Sequence, residues 1–423
     1  MISPWTWVPS LYLVQGLPYV LVLTTSVVMY KRLGLSNTEI GLATSWLYLP
    51  WVIKPLWSPI VEVVGTRRTW VLAMQAAMGA TFAALAFLLP LPFGVQVSFA
   101  LLWLVAFASA THDIAADGLY MLGLDDKRQA SFVGVRSTFW RLAVLLGEGP
   151  LVVLAGVLED QVDDRRTAWA ATIAVLALLF GLVFLLHLWV LPRAPLDVPA
   201  RSTTVGAALR RFGQVFAEFF RKDRIGAALS FLLLYRLAEA QLLKMIPPFL
   251  LDPVAQGGLA LTTEEVGFAK GTLGVAALLA GGIAGGLAIA RWGLRRCIWP
   301  MVAILHLPDL AFVWLAVAQP DSYALVCAAI AVEQLGYGFG FTAYTMFLIT
   351  LASGPYRTAH YAIGTGFMAL GMMVPGMWSG ALQEALGYPL FFGWVALSTI
   401  PGFVVVALVW RRLLAERERE SLG

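Results

Sequence analysis

Apolar runs long enough to cross a bilayer recur a dozen times along this chain, and no other feature narrows its fold as far. The stretch from Trp169 to Leu191 is typical: it contains His187 but no Asp, Glu, Lys or Arg. Crossing about 30 Å of hydrocarbon at 1.5 Å per residue takes roughly 20 residues. Inside lipid the backbone must hydrogen-bond to itself, which leaves helices or a closed barrel. Runs this long exclude the short alternating segments of a barrel. Only 13% of the 423 residues are charged, against about a quarter in a soluble domain, too few to clothe a soluble globule of this size. The expected fold is all-α and polytopic, with twelve transmembrane helices in two six-helix halves.

The spans are expected near 5–30, 37–57, 69–91, 96–122, 128–158 and 167–191. A second set follows near 225–250, 263–290, 296–317, 322–351, 358–386 and 388–411. This gives an N-terminal bundle over 1–191, a cytoplasmic linker over 192–224, a C-terminal bundle over 225–412 and a cytoplasmic tail over 413–423. In the linker, Val205, Leu209, Phe212, Phe216 and Phe219 recur at helical spacing among Arg210, Arg211, Arg221 and Lys222. That pattern predicts an amphipathic helix on the anionic inner leaflet. Of 29 basic residues, 19 fall on the side that carries both termini and 4 on the other, so both termini are expected in the cytoplasm. The net charge of +4 follows from this asymmetry and does not argue for nucleic acid. The apolar stretch at Trp5 lacks a basic leader and a small-residue cleavage site, so it is expected to remain as an anchor. Cys297 and Cys327 lie in apolar stretches and form neither a metal motif nor a disulfide framework.

The halves repeat. Leu35-Ser-Asn-Thr-Glu39-Ile40-Gly41 precedes the second span, and Leu261-Thr-Thr-Glu-Glu265-Val266-Gly267 precedes the eighth, 226 residues on. Ser36 with Glu39, and Thr262 with Glu265, are each spaced as a capping box. The loops that follow these spans also correspond: Glu62, Gly65, Arg67 and Arg68 in one, Arg291, Gly293, Arg295 and Arg296 in the other. Such a cluster in both halves resembles the gating-loop signature of major facilitator transporters.

Ionisable side chains at bilayer depth cost several kcal/mol unless they face a cavity or a partner, so each is a candidate functional group. Asp113 and Asp117 share a face of the fourth span, and equal depth about the turn at Leu124-Asp125 pairs Asp113 with Arg136. A structural salt bridge and a proton-coupling site both fit these carboxylates, and Glu239, Glu333 and His112 are the further proton-handling candidates. Arg141, Arg136, Arg236, Lys270, Lys244 and Lys54 are candidates for an anionic solute, although Lys54 is also placed to snorkel. Gln15, Tyr19, Tyr235, Tyr344 and Gln334 add hydrogen-bonding and stacking surface. Arg236 and Glu239, three apart, are placed to neutralise each other. Gly336, Gly338 and Gly340 allow close helix approach or a bend. The expected partners are a bulky, amphipathic or partly anionic solute, protons and the bilayer, with no cofactor and no metal, in a monomer.

Other classes fit poorly. Asp113-x-x-x-Asp117 lacks the preceding Asp-Gly and following Ala-Arg of lipid phosphotransferases. No Gly-x-Ser-x-Gly elbow and no P-loop occur. A channel would not need a repeated two-half design with opposed charges.

These residues resemble the AmpG-type muropeptide permeases, in the peptide/acetyl-CoA transporter branch of the major facilitator superfamily. The likeness runs through Gly16-Leu17-Pro18, Lys54 with Leu56-Trp57-Ser58-Pro59, Ser109-Ala110 with Asp113-Ile114 and Asp117, and Arg141-Leu142. It continues through Tyr235-Arg236 with Glu239, Glu265-Val266-Gly267, Thr272-Leu273-Gly274 and Glu333. The resemblance implies proton-driven import of anhydromuropeptides across the bacterial inner membrane. This chain departs from the pattern at Glu62, where an Asp is usual, at His112, where Gln is expected, and at Lys270, which sits one place early. Siderophore-uptake and acetyl-CoA carriers share parts of the same pattern.

Overall fold

The computed structural model describes residues 3–195, 197 and 205–420. Ten of its helices are long and apolar enough to cross a membrane, from Pro4–Arg32 to Arg357–Trp410. The last of these is 54 residues long and is broken at Gly387, whose φ of 72° no helix interior adopts. It therefore supplies the eleventh and twelfth spans. The second span is also in two pieces, Asn37–Trp46 and Leu49–Val63. Pro50 lacks the N–H that would continue the first piece into the second. Counted this way the twelve expected helices are present among the described residues.

The outer surface is what lipid requires. Along the sixth span (Arg165–Val190), Leu178, Leu182, Leu185 and Trp189 follow one helical stripe and are 56–82% exposed. A stripe of this kind in water would be an aggregation site. Against lipid it costs nothing.

Two compact units divide the chain. One comprises Met1–Leu33 and Ile53–Gly213, the other Gly34–Val52 and Gln214–Gly423. The first piece of the second span thus falls in the second unit, and the boundary lies inside the second piece. In the first unit the first span packs on the fifth so closely that a Cβ on Gly16 would meet Ala143 Cβ at 2.6 Å. Pro18 interrupts the ladder of that first span, and a π-turn follows at Leu21–Thr25. Thr24 and Ser26 then donate their hydroxyls to Val20 and Val22 carbonyls at 2.8 and 2.6 Å.

In the second unit the tenth span (Tyr323–Leu351) is held by glycines. A Cβ on Gly338 would collide with the Leu278 carbonyl, and one on Gly340 would lie 2.7 Å from the Met301 carbonyl. The glycines of this span therefore serve close packing against the eighth and ninth spans. Of the two expected capping boxes, both form: Glu39 N–H to Ser36 Oγ at 3.2 Å, and Glu265 N–H to Thr262 Oγ1 at 3.1 Å.

The linker helix spans Val205–Phe220. Phe219 is fully buried in the second unit's core, its ring beside His360 and Phe367. This end is docked on protein, where the sequence pattern placed it on lipid. The side chains of Val205, Leu209, Arg211 and Phe212 lie outside the described residues, as does that of Glu62.

Candidate transport site

In the first unit, the fourth span (Gly94–Gly123) presents Asp113 and Asp117 one turn apart on a single face. Lys54 and Gln15 both donate to Asp113. Asp117 accepts from the Tyr12 hydroxyl at 3.0 Å and pairs with Arg136 at 3.1 Å. The Arg136 guanidinium lies over the Tyr12 and Tyr120 rings, 4.8 and 5.4 Å from their centroids. The expected Asp113–Arg136 pair is thus replaced by Asp117–Arg136. Equal-depth counting ignores that an arginine reaches back about one helical turn of 5.4 Å, and here two tyrosine rings hold it there. Lys54, placed to snorkel by its position alone, instead completes the second pair.

The exposure of these groups decides what they can do. Asp113 and Asp117 side chains are 24% and 36% exposed. Neither carboxylate is sealed in protein. Arg141 is exposed. Tyr19 packs its ring at 5.9 Å from that of Trp140.

His112 belongs to another network. It is fully buried, and Gln75 links it at 3.0 Å to His187, which bonds Ser10 at 2.9 Å. Both imidazoles have an amide partner that suits the neutral ring, so this chain of side chains ties the first, third, fourth and sixth spans together.

In the second unit the seventh span breaks at Tyr235-Arg236, between Ile225–Leu234 and Leu237–Leu251. Arg236 enters a cage of aromatic rings, 4.6 Å from Phe341 and 5.2 Å from Tyr337, and donates to the Tyr337 hydroxyl. The expected Arg236–Glu239 pair does not form. The break turns the two side chains apart, and both Glu239 oxygens are buried without a hydrogen-bond partner. Tyr235 and Tyr344 are fully buried and donate to Gly340 and Leu232 carbonyls at 3.0 and 2.8 Å. They fasten the seventh span to the tenth and line no open space.

Lys244 donates to Thr44 at 2.8 Å, with the Tyr48 ring 5.6 Å away. Lys270 lies within electrostatic range of Glu333, whose Oε2 accepts from Gln334 at 2.8 Å. Another buried cluster joins Asn37 to Gln383 at 2.5 Å and to Tyr388 at 3.0 Å, and the Tyr388 hydroxyl donates to Asp252 at 2.6 Å.

Sequence reasoning missed His306 and Asp309. They interrupt the ninth span (Leu294–Ala318) at a 3-10 turn, Leu307–Asp309, and face Glu239. The signal was present as a charged residue just after Pro308 in an otherwise apolar run. Glu239, His306 and Asp309 are also the described residues whose ligand atoms approach closely enough, within 4.8 Å of one another, to hold a metal ion.

The basic loops after the second and eighth spans are built for helix initiation. Gly65 and Gly293 have φ of 70° and 77°, which suits glycine alone. Arg67 and Arg68 give their backbone N–H groups to Asp197 at 2.7 and 3.0 Å, and the Arg67 side chain crosses Gly118. Arg68 also donates to the Leu188 carbonyl at 2.6 Å. Arg291 lies over Trp292 and Arg295 over Trp410.

Residues 15–280 match the model described as the BT1 family. The anhydromuropeptide permease of Escherichia coli (strain K12) is 28% identical over 375 residues, covering 86% of this chain and 71% of that protein. Among solved structures, the nucleoside transporter NupG is 16% identical with a TM-score of 0.68, covering 95% of this chain and 97% of that one. A POT family transporter in complex with a thioalcohol-conjugated peptide is 11% identical with a TM-score of 0.73, covering 95% and 94%. At these identities the structures speak for the fold alone.

Proposed function

We propose, from the premise that the chain belongs to the BT1 family, that it imports anhydromuropeptides in symport with protons by alternating access. That it is a multi-pass transporter and not an enzyme follows from its family and relatives. The cargo and the coupling ion are our reading. The observation that carries it is the pair of half-open ion pairs, Lys54–Asp113 and Arg136–Asp117, one turn apart on one helix face.

Such pairs suit an exchange mechanism. An incoming solute carboxylate competes for Lys54 and Arg136, and the aspartates released from them take up protons. Arg141, Arg236, Lys244 and Lys270 supply further positive charge. Glu239 and Glu333 supply a second set of carboxylates in the other half. The anhydromuropeptide cargo carries carboxylates, and the relative bearing that name supports it. One charge moved through 100 mV contributes about 2.3 kcal/mol to uptake. The expected setting is the bacterial inner membrane, with both termini cytoplasmic.

Purified protein in proteoliposomes tests this directly. Imposed inward proton gradients should drive accumulation of GlcNAc-anhydroMurNAc, and an uncoupler should collapse it. Asp113→Asn and Asp117→Asn should each abolish uphill uptake while leaving the folded yield intact. Full accumulation in both variants would remove the coupling role of these residues. Binding of acetyl-CoA, a ferric siderophore or a simple peptide, with no response to anhydromuropeptides, would transfer the reading to another anionic cargo.

A further inference from the structure

In the cluster made by the seventh and ninth spans, acceptors face one another. His306 is 4% exposed, and its ring is fixed on two sides. Its Nε2 lies 3.2 Å from the Tyr235 carbonyl, which can only accept, so Nε2 carries the hydrogen. A Cβ on Gly402 would come within 2.8 Å of that nitrogen, so the ring packs directly on the glycine backbone of the twelfth span. The other nitrogen, Nδ1, therefore directs a lone pair at Asp309 Oδ2, 3.5 Å away. Both Asp309 oxygens, both Glu239 oxygens and His306 Nδ1 are buried without a hydrogen-bond partner among the described residues. Facing acceptors in a site this dry need a cation between them.

We infer that Glu239, Asp309 and His306 share one bound hydrogen ion, forming a proton site within the C-terminal unit to which His306 and Asp309 belong as much as Glu239. The surrounding charges select this occupant. The basic side chains acting on the three carboxylates Glu239, Asp309 and Glu333 are Arg236 and Lys270, with the His306 ring beside Asp309. Lys244 lies beyond, next to Lys270 and bonded to Thr44. Three carboxylates against two cations carry one excess negative charge. A single hydrogen ion neutralises it, and a divalent metal would overshoot. A hard cation favours oxygen ligands and would leave the imidazole nitrogen unsatisfied. The hydrogen resides on a carboxylate oxygen of Asp309 or Glu239 and bridges it to the other carboxylate or to Nδ1.

The use of this proton in transport rests on the function proposed above, but the site itself does not, and its test needs no solute. Full-length protein in nanodiscs at neutral pH is examined by infrared spectroscopy for a carboxylic-acid carbonyl band, with Asp309→Asn and Glu239→Gln beside it. The band is expected in the wild type and lost in each variant. The two variants stand on different helices, so either suffices should the other fail to fold, and both amides mimic the protonated acid. Absence of the band from the wild type, or its persistence in both variants, would overturn the inference. One equivalent of bound divalent metal by mass spectrometry, lost in Asp309→Asn, would overturn it in favour of a metal centre. Failed muropeptide uptake with the infrared result intact would strike the cargo reading alone.

Discussion

Removing the charge of Lys54 while keeping its stem, as Lys54→Met, should cost the protein stability that a second substitution, Asp113→Asn, restores. Two unit charges about 4 Å apart attract by about 4 kcal/mol at an effective dielectric near 20. The Lys54 and Asp113 side chains are 18% and 24% exposed, so water screens part of this, and fully exposed pairs yield no more than about 1 kcal/mol. The coupling energy should therefore fall at about 1–3 kcal/mol, within the range typical of contacting residues. Lys54→Met leaves Asp113 with Gln15 as its remaining hydrogen-bond donor and should lose about 2–3 kcal/mol, less than the 3–5 of a sealed pair broken on one side. The double variant should lie within about 1 kcal/mol of the wild type, since replacing both members of a buried pair is often nearly neutral. Reversible unfolding in mixed detergent micelles, followed by tryptophan fluorescence, measures all four corners of the cycle. A coupling below about 0.5 kcal/mol, the ordinary limit for independent sites, would refute the pairing and return Lys54 to a snorkelling role. The cycle of Arg136→Met with Asp113→Asn serves as the contrast and should show the smaller coupling.

Three further outcomes follow. Gly338→Val drives a branched side chain into the Leu278 carbonyl and should abolish the folded yield in size-exclusion chromatography; a normal monodisperse peak would contradict the tight packing. Tyr388→Phe removes the hydroxyl that donates to Asp252 at 2.6 Å and should lower stability by about 1.5–3 kcal/mol, the scale of a hydrogen bond to a charged group; an unchanged melting temperature would count against that bond. Arg141→Ala should weaken binding of carboxylate-bearing solutes at least several-fold in a thermal-shift titration without lowering the apo melting temperature, and equal affinity would remove Arg141 from the solute site.

The helices were legible because lipid imposes so few options. Span limits read from hydropathy fall within a few residues of the helices, and the capping boxes at Ser36 and Thr262 were readable as short spacings. Pairings were less legible. Depth along two helices located Asp113, Asp117 and Arg136 near one another, yet which aspartate meets the arginine depends on the Tyr12 ring, from the first span, and on Tyr120, one turn from Asp117 on the fourth. Tyr235 and Tyr344 read equally well as lining or core, since a tyrosine hydroxyl fits both. Their carbonyl partners exist only once the seventh and tenth spans pack. Asp309 is hard to see in the sequence because the apolar run around it is long enough to span on hydropathy alone, which hides its interruption. The break at Tyr235-Arg236 carries no proline or glycine to announce it.

The glycine seams of the tenth span limit which parts of the C-terminal unit can rearrange. Backbones that touch carbonyl to Cα have no side-chain cushion to shear across, so the eighth, ninth and tenth helices behave as a single stiff plate. Bending that accompanies a transport cycle in this unit then falls to the breaks outside the seams, at Tyr235-Arg236 within the seventh helix and at Gly387 between the eleventh and twelfth. The proton site straddles the edge of that plate, with Asp309 on the stiff side and Glu239 just past the joint. A change in the joint's angle would open or close the gap between them.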